Sequence, residues 1–284
     1  KCDLTPTRPC WQGGYVQREK KYDSVHDPIM ATVFVISVGY KKIVWVGLDV
    51  SGVQADLSNM IVARLKEKGI NILLDEIVFG ASHTHSGPLV GSYFNRPVDE
   101  EYISHLVETL TDSIIDAYNA IGQVVEVKYS STLIDGLYSN RNDKNKLSDK
   151  YAHMLGFFEK EKLIALFFTM AHHCTVLGPN FTDLSADLFG ELRRLLEKQF
   201  NVPVLMAQGN AGDMGNKQYR KSNLFDEVEM QANNISEQIS KKMSSWLDLE
   251  VNKIDIKKHF FHTAYDVDAN EFIAKKALFE KQEN

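Results

Sequence analysis

The sequence predicts a mixed α/β protein, sheets of mixed strand direction with flanking helices, and three observations carry that prediction. Val/Ile-rich runs twice read as antiparallel hairpins, each hairpin is followed by leucines at helical spacing, and each such helix precedes one more apolar run. Ile29 to Val38 is the first strand; the chain turns through Gly39-Tyr40-Lys41-Lys42 and returns as Ile43 to Leu48. Leu57, Ile61 and Leu65 repeat at helical spacing with Gly69 closing the helix, and Ile77 to Gly80 is a strand. Asp99 caps a helix whose Ile103, Leu106, Val107, Leu110, Ile114 and Ile121 face a core, and Val124 to Tyr129 reads as a strand. Met154 to Phe158, a charged turn from Glu159 to Lys162, and Leu163 to Met170 form the second hairpin. Leu188, Leu192, Leu195 and Leu196 mark its helix, and Val202 to Ala207 its last strand. Leu224, Val228, Ala232, Ile235, Ile239, Met243 and Trp246 stripe one long helix; Val251 to His262 alternates as a half-exposed strand; Asn270 to Asn284 is a short charged helix.

The two hairpin-helix-strand cycles have nearly the same spacing. Asp49 precedes His83 by thirty-four positions, and His173 precedes Gln208 by thirty-five. Pseudo-duplicated halves are one reading and chance likeness of such units the other. On either reading the polar residues at four strand ends are expected to converge on one cleft.

Composition narrows the function. At 284 residues, 44% apolar and 25% charged, the chain is expected to form a single globular domain spanning 1–284. A net charge of −6 argues against nucleic acid as the main partner, and no apolar run has the length of a transmembrane segment. Three cysteines, an odd count, fit reduced thiols of a cytoplasmic protein, while a start other than Met leaves export open and a Cys2–Cys10 bridge is a further option. The oligomeric state is not legible.

Phe79-Gly80-Ala81-Ser82-His83-Thr84-His85-Ser86-Gly87-Pro88 carries the strongest chemical signal. On extended backbone, residues two apart project from one face, so two imidazoles would aim at one place, as zinc ligands or general bases. The plainer alternative is hydrogen bonding within a turn. Gly209-Asn210-Ala211-Gly212-Asp213 packs two glycines into five residues and is either a cradle aiming N–H groups at an anion or a plain tight turn. Asp49 is either an acceptor for a ligand histidine's second ring proton or a structural helix-entry carboxylate. Asp27 is read as structural and Asp187 as a charge on its helix's first turn. Cys174 is read as a buried inert thiol.

These segments fall in an ordered set: Leu4-Thr5-Pro6, Gly14-Tyr15, His26-Asp27-Pro28, His83-Thr84-His85-Ser86-Gly87-Pro88, Ser139-Asn140-Arg141, His173-Cys174-Thr175, Ser185-Ala186-Asp187 with Gly190, and Gln208 through Asp213. The set resembles the amino-terminal catalytic part of the neutral/alkaline non-lysosomal ceramidase family, from about Leu4 to Asp213. The resemblance implies a ceramidase-like α/β domain and a zinc-dependent hydrolase of linear amides, deacylating a small amphipathic amide of the ceramide kind. It implies His83 and His173 as metal ligands, the family's His-x-Thr pattern selecting His173 over His172. His85 would lie beside the metal-bound water, Arg141 would clamp the polar head, and the loop with Asn210 and Asp213 would line the site.

Two departures accompany it. The family loop continues Gly-Asp-Val-Ser-Pro-Asn, whereas here Gly212-Asp213-Met214-Gly215-Asn216 puts Gly215 where the serine would stand. The family's metal site is completed downstream by a glutamate and a tyrosine whose motifs do not occur after Asp213. A catalytic zinc takes about three or four protein ligands, so the chain is expected to be either a fragment of a longer protein or a divergent member, and to hold metal weakly by itself. The rival readings are a metal-dependent ester or phosphoester hydrolase and a noncatalytic lipid- or sugar-binding protein on the same fold.

Overall fold

The computed structural model describes residues 1–92, 96–120, 122–242 and 245–257. A short β1 (Cys2–Asp3) pairs with β2 (Met30–Val38), which turns at Gly39, φ 59°, into antiparallel β3 (Lys41–Leu48). α1 (Ala55–Glu67) buries Leu57, Ile61 and Leu65, and β4 (Ile77–Ala81) then lies parallel to β3. α2 (Glu100–Asn119) begins where the Asp99 carboxylate accepts from the Tyr102 N–H at 3.0 Å, the capping bond its sequence predicts. Its buried stripe, Ile103, Leu106, Val107, Leu110 and Ile114, is the expected one; Ile121 lies outside the described residues.

The second sheet repeats the plan. After β5 (Glu126–Leu133) and the short β6 (Ser139–Asn140), β7 (Tyr151–Glu159) and β8 (Lys162–Met170) form a hairpin, α3 (Asp187–Phe200) follows, and β9 (Val204–Gln208) returns parallel to β8. β10 (Met214–Gly215) pairs with β6, α4 (Phe225–Ser240) packs on α3, and β11 (Leu247–Leu249) adds to the free edge of β5. The sheet orders are β1-β2-β3-β4 and β11-β5-β7-β8-β9. Hairpin, helix and parallel strand thus recur with one topology, as the pseudo-duplicated halves predict.

Side-chain alternation decides which face of each strand meets which layer. On β3, Val44, Val46 and Leu48 join α1 and α2 in one buried cluster, while Trp45 points the other way and stacks on Phe167 of β8 with ring centroids 3.9 Å apart. Phe34 likewise meets Phe157 edge-on. β8 sends Leu166, Phe168 and Met170 into a second cluster with α3 and α4. The layers therefore run helices, sheet, sheet, helices. Gly47 and Gly80 are partners in the β3–β4 ladder, and a Cβ there would stand 2.5 Å from the Met206 carbonyl oxygen and 2.8 Å from the Ala207 Cβ. These two glycines let the sheets close on each other at the end where the strands open into the site.

The ladders correct one equivalence. Leu48 pairs with Ala31 and Ala81, and Met170 with Ala152 and Gln208, so the counterpart of Asp49 is Ala171, that of His173 is Ser51, and that of His83 is Asn210. The near-equal spacing of Asp49–His83 and His173–Gln208 pairs positions that are not equivalent. The carboxyl-terminal expectations also change. α4 ends at Ser240; Leu224 precedes it and is exposed, Met243 lies outside the described residues, and Trp246 sits on extended chain with its ring edge-on to Phe158. Val251 to Lys257 forms no strand, since the edge of β5 is taken by β11 instead; the rest of Val251 to His262 and the helix from Asn270 lie outside the described residues. Cys2, Cys10 and Cys174 are all free thiols. No described helix is long and apolar enough to cross a membrane.

Candidate metal centre

The histidine pair does not reach its geometry by strand alternation. Past β4 the Ser82 N–H donates to the Leu48 carbonyl and the His83 N–H to the Val50 carbonyl, and His83 takes a left-handed backbone, φ 61°. That conformation is uncommon outside glycine and concentrates at functional sites. The turn is held from the other half: Thr84 Oγ1 donates to the Ser185 carbonyl at 2.9 Å and the Ser185 N–H donates to the Ser86 carbonyl at 3.0 Å. His83 and His85 thereby aim their Nε2 atoms at one point, 3.2 Å apart.

His173 arrives from the end of β8, its Nε2 also 3.2 Å from that of His83. One nitrogen from each of the three rings lies within 4.8 Å of the other two, a grouping that could hold a metal ion. Neighbouring His172 turns the opposite way, fully buried against the Tyr138 ring with both its nitrogens unpartnered, and burial pulls it down to about 3. His83 and His173 face each other across the two halves.

Two of the three rings are fixed by carbonyls. His83 Nδ1 donates to the Ser51 carbonyl, and His173 Nδ1 to the Ala211 carbonyl at 3.1 Å. Each bond places the ring proton on Nδ1 and leaves the Nε2 lone pair bare, the arrangement metal-bound imidazoles generally show. His85 differs: its Nδ1 is buried without a partner, its ring is covered edge-on by Tyr15, and burial, then His83 and His173, bring it down to about 3. Burial lowers His173 as well. Three imidazole nitrogens gathered at a common point fit a metal ion such as zinc, which takes nitrogen ligands readily.

The surrounding chain holds these rings in place. Gly14, φ 93°, brings the backbone so close that a Cβ would stand 2.3 Å from His85 Cγ. Arg18, nearly buried, donates to the carbonyls of His85, Gly13 and Phe181. Sequence reasoning missed Arg18, and equally Ser51 and Ala211, which act through backbone carbonyls that every residue carries. Arg141 is exposed; its N–H donates to the Asp213 carbonyl at 2.7 Å, and its charge reaches His85 and His173. Asn210 and Asp213 are both exposed, and Asp213 accepts from Asn140 Nδ2 at 2.8 Å, bracing β6 against β10. Gly215 lies beside the Arg141 side chain, a Cβ there standing 3.4 Å from Arg141 Cβ.

Asp49 touches no histidine. Its carboxylate is bound by both terminal nitrogens of Arg193, at 2.7 Å each, and by the Met30 N–H at 3.0 Å, with both side chains buried. It is a structural tie from the end of β3 to α3. Asp27 is structural as expected, accepting from Ser185 Oγ, the Ala186 N–H and Arg194. Asp187 is fully buried, φ 54°, and accepts from the Leu177 and Leu188 N–H groups. Cys174 is buried and its thiol pushed far up by burial, which leaves it inert.

No protein-family model matches this chain. Among solved structures, a ceramidase complexed with C2 superposes with a TM-score of 0.76 at 20% identity, covering 85% of this chain and 42% of its own. Neutral ceramidase from Pseudomonas aeruginosa superposes with a TM-score of 0.74, also at 20% identity, over 85% of this chain and 43% of its own. The chain therefore spans less than half the length of either. Over most of its length it shares its fold with these two ceramidases.

Proposed function

We propose that the protein is a zinc-dependent hydrolase of linear amides, acting on small amphipathic N-acyl substrates of the ceramide kind. The observation that carries the reading is the pair of Nε2 atoms from His83 and His173, 3.2 Å apart with each Nδ1 committed to a carbonyl. Tetrahedral ligation at about 2.0–2.1 Å places two nitrogens roughly 3.3 Å apart. Zinc held there would supply a nucleophilic water at neutral pH and polarise the scissile carbonyl.

The chain's own groups divide the remaining work. His83 and His173 would supply two of the roughly three or four protein ligands such an ion takes. His85, whose Nδ1 lacks the acceptor that fixes the other two rings, is the proton-transfer group: its Nε2 faces the same point and its burial keeps it neutral. Arg141 would offer a charge to the polar part of the substrate, and the turn containing Asn210 and Asp213, whose Ala211 carbonyl orients His173, would line the site. Purified protein reconstituted with zinc should cleave N-acyl amides, and a chelator should abolish this. His85→Ala should keep the metal and lose about 10²–10⁴-fold in rate. Undiminished amide cleavage by metal-free protein would sink the reading, and preference for aryl esters or aryl phosphates would move it to another hydrolase class.

A further inference from the structure

His83 and His173 each have a carbonyl to hold the ring, and His85 has none. The edge of its ring that carries Nδ1 faces Gly14, where a Cβ would stand 2.7 Å from that nitrogen, and the nitrogen has no partner among the described residues. A ring without such a bond turns about its side-chain torsions unless packing stops it. We propose that Tyr15 is the positioning residue of His85: its ring, anchored to the Leu177 carbonyl, keeps the His85 Nε2 aimed at the point that His83 and His173 share. The proposal rests on the amide-hydrolase reading for the task of His85, while the ring geometry it claims is open to measurement without turnover.

Tyr15 meets His85 with ring centroids 4.9 Å apart and planes at 74°, the edge-to-face arrangement that aromatic pairs favour. Tyr15 is itself held at three places. Its hydroxyl donates to the Leu177 carbonyl at 2.7 Å, the Arg18 guanidinium lies 5.0 Å from its ring centroid, and its own carbonyl accepts from Arg96 Nη1 at 3.1 Å. Arg18 also donates to the His85 carbonyl, so one cation fixes both the backbone of the histidine and the face of the ring set against it. With its hydroxyl proton committed to a carbonyl, Tyr15 acts through His85 and not on the substrate.

The anchoring point is firm. Leu177 is fully buried, its N–H donates to Asp187 Oδ2 at 3.2 Å, and the carbonyls of Thr175 and Val176 just before it accept from Arg220 Nη1 at 2.6 and 3.2 Å. Leu177 lies four positions after His173, so the carbonyl that sets His85 belongs to the segment carrying the opposite half's candidate ligand. The third ring is thus set, like the other two, by a main-chain carbonyl, here reached through a tyrosine instead of directly.

The test pairs crystal structures of the zinc-loaded full chain with steady-state kinetics on an N-acyl amide, for the parent, Tyr15→Leu and Tyr15→Phe. Tyr15→Leu removes both the ring and its anchor. The His85 ring should then turn away from the common point or split between two orientations, with His83 and His173 still on their carbonyls and zinc content full. Its kcat should fall about a hundredfold, the scale of loss from a misplacement of about 1 Å, while KM stays within about twofold. Tyr15→Phe keeps the ring against His85 and loses only the hydrogen bond, so the His85 ring should stay in place and kcat fall about fivefold. In a His85→Ala chain both losses should shrink to within about twofold, since a residue acting only through His85 has nothing left to position. A His85 ring unmoved in Tyr15→Leu, or losses of the same size in the His85→Ala chain, would overturn the proposal. If the parent cleaves no amide while Tyr15→Leu still displaces the His85 ring, the hydrolase reading falls and the positioning of His85 stands.

Discussion

The two halves of the molecule share a topology and divide one site between them. In the first half the candidate ligand, His83, follows the parallel strand β4, and the carbonyl that orients it, Ser51, follows the hairpin strand β3. In the second half the places are exchanged: His173 follows the hairpin strand β8, and its orienting carbonyl, Ala211, follows the parallel strand β9. Each half thus supplies one carbonyl-oriented ring and its carbonyl, from opposite strands, and the first half adds the ring of His85. The repeated backbone brings four strand ends together, while the residue standing at each end decides which offers a candidate ligand and which a brace. Asp49 shows the same division. Its counterpart Ala171 is apolar, and Asp49 spends its charge tying the first half to α3 of the second.

The largest expected effect comes from removing either half's ligand. His83→Ala and His173→Ala should each abolish zinc retention and lower amide turnover by at least about a thousandfold; if one substitution is silent in a metal-content assay, the two-half site is wrong. Next is the tie between halves. Arg193→Met leaves the Asp49 carboxylate buried without its cation, a change that costs about 3–5 kcal/mol, readable by denaturant unfolding, with Asp49→Asn in the same chain restoring part of the loss. Gly47→Ala comes third. The sheets must separate where its Cβ meets the Met206 carbonyl, at about 1–3 kcal/mol, whereas Thr169→Ala at the equivalent position of β8 should cost less because a side chain already fits there.

The smallest effect concerns Asp187, whose carboxyl burial raises to about 7. The folded state holds this proton more tightly than the unfolded chain, so ionisation costs nothing below the usual carboxylate range, and the penalty grows as pH rises from about 4 to 7. Asp187→Asn suits the left-handed backbone and keeps an oxygen for one of the two N–H groups, at the cost of the other bond at every pH. Compared with the parent chain, its stability at pH 8 relative to pH 3 should improve by on the order of 1 kcal/mol. A gain that does not change with pH would place its origin elsewhere.

Much of this arrangement was legible in the residues. Val/Ile alternation and leucine spacing located both hairpins, α1, α3, β4 and β9 to within a few residues, because each of those elements buries one face against a neighbouring layer. What the pattern could not say was which layer, so the stacking of the two sheets through Trp45, Phe34, Phe157 and Phe167 emerges only in three dimensions. The carboxyl end misled for a related reason. Trp246 falls in phase with α4, yet its ring is held by Phe158 on extended chain after the helix has ended. In the site, the His83/His85 pair stood out by its spacing, whereas His173 was singled out from His172 only by the family resemblance. The carbonyls of Ser51 and Ala211 leave no trace in sequence, and Asp49 carries the signal of a histidine partner while its charge is taken by an arginine 144 positions away.

The account's central claim is that one zinc is shared between the halves, and anomalous X-ray diffraction from zinc-loaded crystals tests it most directly. One peak is predicted, about 2.0–2.1 Å from the Nε2 atoms of both His83 and His173, with each Nδ1 still on its carbonyl and His172 turned away against Tyr138. A zinc held by one half alone, or bound through Nδ1, or drawn to His172, would contradict it.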